Sequence, residues 1–99
     1  LTQTERIEHY ERVLDAVTAA EEKLEKALED FAAAGPLFRE LESYYGSDDW
    51  KKDFEDDEKG LLPKDLKRGV LSEDAAYDAL SDERRLIIMM LETAAQMLK

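Results

Sequence analysis

The chain contains no cysteine. That absence removes a disulfide framework, a thiolate metal site and a cysteine nucleophile together, and it fits a reducing compartment. Histidine occurs once, at His9, whereas a carboxylate di-metal bundle needs Glu-x-x-His on two helices. Glycine and proline are scarce: Gly35, Gly46, Gly60 and Gly69 stand isolated, and only Pro36 and Pro63 occur. No phosphate-cradling glycine loop or Gly-Lys-Ser/Thr sequence is present. Long apolar runs are missing too. The longest, Leu86 to Leu91, is six residues and stops at Glu92, against the ~20 needed to span a membrane. The opening residues do not read as a signal peptide, so the expected location is the cytoplasm. No segment shows the two-residue alternation of a half-buried strand.

Positive charge is also in short supply. Fourteen basic side chains face 25 acidic ones, for a net charge of -11. Acidic excess is concentrated in residues 1–46, with five basic and eleven acidic side chains, and in residues 47–60, with three and seven. Residues 61–99 are nearly balanced, with six and seven. Such a chain is repelled by nucleic-acid phosphates and anionic lipid headgroups, so neither nucleic acid nor membrane is an expected partner. The mean hydropathy is -0.58, yet 43% of residues are hydrophobic. That content supports a core, and a length of 99 residues is read as one helical domain, residues 1–99.

The apolar residues that are present follow helical spacing. Ile7, Tyr10, Leu14, Val17, Leu24, Leu28 and Phe31 recur at alternating steps of three and four, broken only at Glu21, and predict a helix from about Thr4 to Ala33. Val13, Ala20 and Ala27 widen the stripe along one flank. Thr4 is the expected N-cap, Glu22–Lys26 the expected i, i+4 ion pair, and Gly35-Pro36 the stop or kink. Thirty helical residues extend about 45 Å. A compact domain of this length has a diameter of roughly 34 Å, so the helix implies either an elongated bundle or a homodimer through the N-terminal helix.

A second helix is expected over Pro36–Tyr45, and a third short one after Ser47 as N-cap, with Asp48 and Asp49 in its first turn. It sets Trp50 and Phe54 on one face, with Asp56, Asp57 and Glu58 toward water and Gly60 at its end. A turn or short helix is expected near Pro63–Lys67, with Gly69 in a left-handed conformation. Ser72-Glu73-Asp74 then signals a helix to Leu80, and Ser81-Asp82-Glu83 a last helix to about Leu98. Its expected buried face is Leu86, Ile87, Met90, Leu91, Ala94, Ala95 and Leu98. The fold class is all-α: an elongated helical bundle with a long N-terminal helix, a turn-rich middle of short helices and a C-terminal helix.

The middle, from Tyr44 to Asp74, carries Tyr44, Tyr45, Trp50, Phe54, Leu61, Leu62, Leu66, Val70 and Leu71 in a short span. That density does not suit a solvated linker. In YYGSDDW at 44–50, DFEDDEKGLLP at 53–63 and DLKRGVLSEDAAYDAL at 65–80, the chain resembles a family of small bacterial proteins, domain of unknown function family 4298. The resemblance runs over most of the chain and implies no activity, cofactor or site.

A calcium loop counted from Asp53 has Glu58 where glycine is required and Lys64 where a bidentate glutamate is required, so the acidic run reads as a solvated helix face. His9, with Glu5 one turn away, reads as an exposed helix residue. Ser47 and Ser72 read as caps, since neither lies in a nucleophile elbow. No catalytic residue, cofactor or metal ligand is therefore expected. Tyr44, Tyr45 and Trp50 are the best interaction anchors, with filling of a core between the first and last helices as the bland alternative. Two adjacent tyrosines point about 100° apart, so one should be exposed or hydrogen-bonded. Lys64, Lys67 and Arg68 form the one basic cluster, suited to pairing with Asp53, Asp56 or Asp57 or to a partner carboxylate. The functional expectation is a non-enzymatic protein-interaction module acting through Tyr44, Tyr45, Trp50, Lys67 and Arg68. The alternatives are an acidic inhibitor that mimics nucleic acid in a basic groove and, behind it, a metal-dependent enzyme.

Overall fold

A computed structural model describes every residue from Leu1 to Lys99. The chain is all-α, with four α-helices and one 3-10 turn: α1 (Gln3–Ala33), α2 (Gly35–Tyr45), α3 (Asp48–Glu58), the turn Gly69–Leu71 and α4 (Ala75–Met97). It divides into two units, Leu1–Gly35 and Pro36–Lys99.

The first unit is essentially α1. Its start lies two residues before the expected Thr4: the Thr2 hydroxyl accepts from the Glu5 amide at 3.1 Å, and Glu5 Oε1 accepts from the Thr2 amide at 3.3 Å. This reciprocal capping box outcompetes a lone threonine cap because it satisfies two otherwise unpaired donors, and hydrogen bonding to the Thr2 side chain, then to the Thr2 amide, holds the Glu5 carboxyl below its ordinary range. The ion pair also differs from the expected Glu22–Lys26. Lys26 instead turns forward to Asp30 at 2.8 Å, an i, i+4 alternative of similar small worth. A single helix has nothing in its own unit to pack on, and Ile7, Tyr10, Val13, Leu14, Val17, Leu24 and Leu28 are all 40–60% exposed.

In the second unit, Ser47 caps α3 as expected, accepting from the Trp50 amide at 3.2 Å. The end of α3 is a paired αL stop. Gly60 has φ +70°; its amide donates to the Asp57 carbonyl and that of Leu61 to the Asp56 carbonyl, each at 3.0 Å. These are the two bonds of a Schellman motif, which needs a residue free to adopt positive φ. Gly69, expected in that conformation, does not adopt it. It opens a right-handed 3-10 turn, whose carbonyl accepts from the Ser72 amide at 3.1 Å.

The two helices expected after Ser72 are one. Ser72 Oγ accepts from the amides of Asp74 and Ala75 at 3.3 and 3.2 Å, and α4 then runs unbroken through Ser81-Asp82-Glu83. A cap signal starts a helix only where the preceding one stops, and neither glycine nor proline precedes Ser81. Asp82 pairs with Arg85 at 3.2 Å along the helix instead.

Buried side chains are few: Leu71 at 6% and Ala76 at 2% exposure. The 3-10 turn packs on both α3 and α4. Arg39 of α2 bonds Glu83 of α4, and Tyr45 at the end of α2 reaches the Glu73 carbonyl just before α4, so side chains of α2 tie it to α4 at two points. The expected buried face of α4 is correspondingly cut short. Leu80 and Leu86 are half-buried, whereas Ile87, Met90, Leu91 and Leu98 are exposed, Leu91 at 69%. No element of this unit continues alongside them.

Candidate interaction surface

The aromatic cluster is assembled by the caps that bracket it. Ser47 Oγ donates to the Tyr44 carbonyl at 2.6 Å while accepting from Trp50, which sets the tight passage from α2 to α3. That passage brings the Tyr45 and Trp50 rings edge to face, with centroids 5.0 Å apart. One turn further, Trp50 and Phe54 stack at 5.2 Å and 17°. Both geometries are favourable for aromatic quadrupoles. Trp50 Nε1 then donates to the Val70 carbonyl at 3.0 Å, tying α3 to the 3-10 turn.

Both tyrosines are half-buried, and both hydroxyls have partners. Tyr45 donates to the Glu73 carbonyl at 3.0 Å. Tyr44 donates to Asp53 Oδ2 at 2.6 Å; this bond to a carboxylate, helped by desolvation and by the charges of Asp53 and Asp49, pushes the phenol up to about 12. Arg68 donates to Asp57 at 3.0 Å. Asp56 and Asp57, expected to face water, are half-buried, because Lys52 and Arg68 cover them at 3.3 and 3.0 Å.

The five candidate residues therefore fall into two groups. Tyr44, Lys67 and Arg68 line a concavity of about 250 Å³ together with Asp53, Leu62, Leu66, Val70 and Leu71. Tyr45 and Trp50 are held against each other outside it. Of the five, four spend their polar groups on this chain, and Lys67 alone is exposed with its charge uncommitted. No three histidine, aspartate or glutamate side chains converge as a metal-holding group, and no helix is long and apolar enough to cross a membrane.

A different surface escaped the sequence reading. Ser81, Arg84, Arg85, Ile88, Met89 and Glu92 form one shallow strip on α4, with Ile88 and Met89 44% and 52% exposed. Helical periodicity marks such residues as one face without saying whether anything covers it.

No curated protein and no solved structure matches the chain. The model of the family described as a domain of unknown function (DUF4298) matches residues 7–93, which include all three middle motifs, and the chain belongs to that family.

Proposed function

We propose that this protein is a non-enzymatic interaction module whose contacts are made by apolar helix faces rather than by the polar tips of the Tyr44–Asp74 segment. The family's description assigns no activity. The observation that carries the reading is the exposure of Ile87, Ile88 and Met89 on adjoining sides of α4, with Ile88 bordering both of the others. Contiguous exposed apolar side chains of this size mark interaction sites, and methionine suits a surface that must adapt to its partner. Within the strip Arg84 and Arg85 outnumber Glu92, and Arg84 makes no ion pair, which favours an amphipathic partner helix bearing acidic residues. The cysteine-free composition supports a reducing cytoplasm as the setting.

The test is capture from a lysate of the native host by immobilised protein, comparing wild type with Ile88→Glu and Lys67→Glu. Trp50 fluorescence verifies that both variants keep the folded second unit. A partner lost with Ile88→Glu, retained with Lys67→Glu and held in high salt supports contact through α4. Recovery that ignores Ile88→Glu overturns it. Steep loss in salt would favour nucleic-acid mimicry, the other reading of an acidic chain.

A further inference from the structure

We infer that the apolar stripe of α1 is covered by the same stripe of a second copy, antiparallel, about a two-fold axis passing between residues 15 and 16. This rests on the interaction-module reading and names one of its partners. Along α1 the positions 7, 10, 14, 17, 21, 24 and 28 follow a seven-residue repeat, the period of a left-handed helix pair. The apolar side chains among them are 44–60% exposed.

The register follows from charge. A parallel, in-register pair sets Glu21 against Glu21 of the second copy inside the seam, a like-charge contact that costs association. An antiparallel pair centred on residue 19 sets Glu11 against Glu25 twice over. Centred between 15 and 16, the seam instead reads Ile7 on Leu24, Tyr10 on Glu21 and Leu14 on Val17, each occurring twice. The interruption at Glu21 is then matched: the Tyr10 hydroxyl of one copy faces the Glu21 carboxylate of the other as a charge-assisted donor. On one flank Val13 meets Ala20, small enough for close approach. On the other Glu11 meets Thr18, with no like-charge pair. Thr18 Oγ1 already donates to its own Leu14 carbonyl at 2.8 Å, leaving a compact methyl-bearing side chain there.

The area is sufficient. Five large and two small side chains per copy, about half exposed at the outset, bury on the order of 1,200 Å² between the two copies, at the lower edge of stable interfaces. A reversible dimer with a dissociation constant in about the micromolar range is the matching affinity.

Because the chain has no cysteine, single cysteines at Ala16 and, separately, at Lys26 can carry spin labels for distance measurement between copies. The expected result is a short separation at 16 and one extended by about 30 Å along the helix axis at 26. Equal separations at both positions would mean a parallel pair, and the absence of inter-copy coupling a monomer; either overturns the inference. Leu14→Glu should weaken the dimer about 100-fold, since it buries an unpaired carboxylate, while Trp50 fluorescence stays native. If the chain is monomeric but partner capture still depends on Ile88, the second-copy inference alone fails. If capture ignores Ile88 while the dimer forms, the α4 reading fails instead.

Discussion

At the scale of single residues, the middle segment is held by polar side chains that each close a specific gap. Tyr44 is the sharpest case. An unfolded tyrosine ionises near pH 10, but Tyr44 does so only at about 12, because Asp53 accepts its proton-bearing hydroxyl. The hydrogen bond therefore stabilises the fold fully below pH 10, and its contribution drains away as pH rises from about 10 to 12. In an ultraviolet titration Tyr44 should ionise in a late step near pH 12, and Tyr44→Phe should abolish that step. Lys67 and Arg68 give a second contrast between neighbours. Arg68→Glu places a carboxylate beside Asp57, now 3.0 Å from the guanidinium, and should cost about 1–2 kcal/mol in urea unfolding. Lys67→Glu should stay within about 0.5 kcal/mol. The sequence showed that Arg68 had acidic candidates nearby but not which; the choice of Asp57 depends on how the 3-10 turn after Arg68 packs on α3, a non-local placement that residue spacing does not encode.

Among elements, the local signals were legible wherever a cap or a stop acts alone. Ser47 opening α3, Gly60 closing it and Ala33 ending α1 were all readable from residue type. Ser81-Asp82-Glu83 misled because a start signal inside an uninterrupted helix has no stop to follow. Gly69 misled because glycine permits positive φ without requiring it. The two glycines should consequently respond in opposite senses to alanine. Gly60→Ala forces a Cβ into the φ +70° conformation and should destabilise by about 1–2 kcal/mol. Gly69→Ala meets nothing within 4 Å and should be neutral or stabilising by up to about 1 kcal/mol, through a less flexible unfolded chain. Thermal unfolding of the two variants decides it.

Over the whole molecule, what the sequence could not reveal is coverage. Apolar stripes on α1 and α4 were evident from their spacing, and a buried role follows from spacing only when another element lies against the stripe. Leu71 and Ala76 alone are buried, which leaves most of the hydrophobic 43% of the chain available to the surfaces proposed above. The length of α1, which raised self-association as one of two readings, and the matched placement of Tyr10 and Glu21 in its seam lead to the same occupant. Sedimentation equilibrium of wild type and Leu14→Glu, over a concentration range spanning about 1–200 μM, is the most direct measurement. Wild type should rise toward twice the 11.4 kDa chain mass with increasing concentration and hold that mass in high salt, while Leu14→Glu stays at the single-chain value. A wild-type chain that remains monomeric across the whole range would contradict the second-copy interface outright.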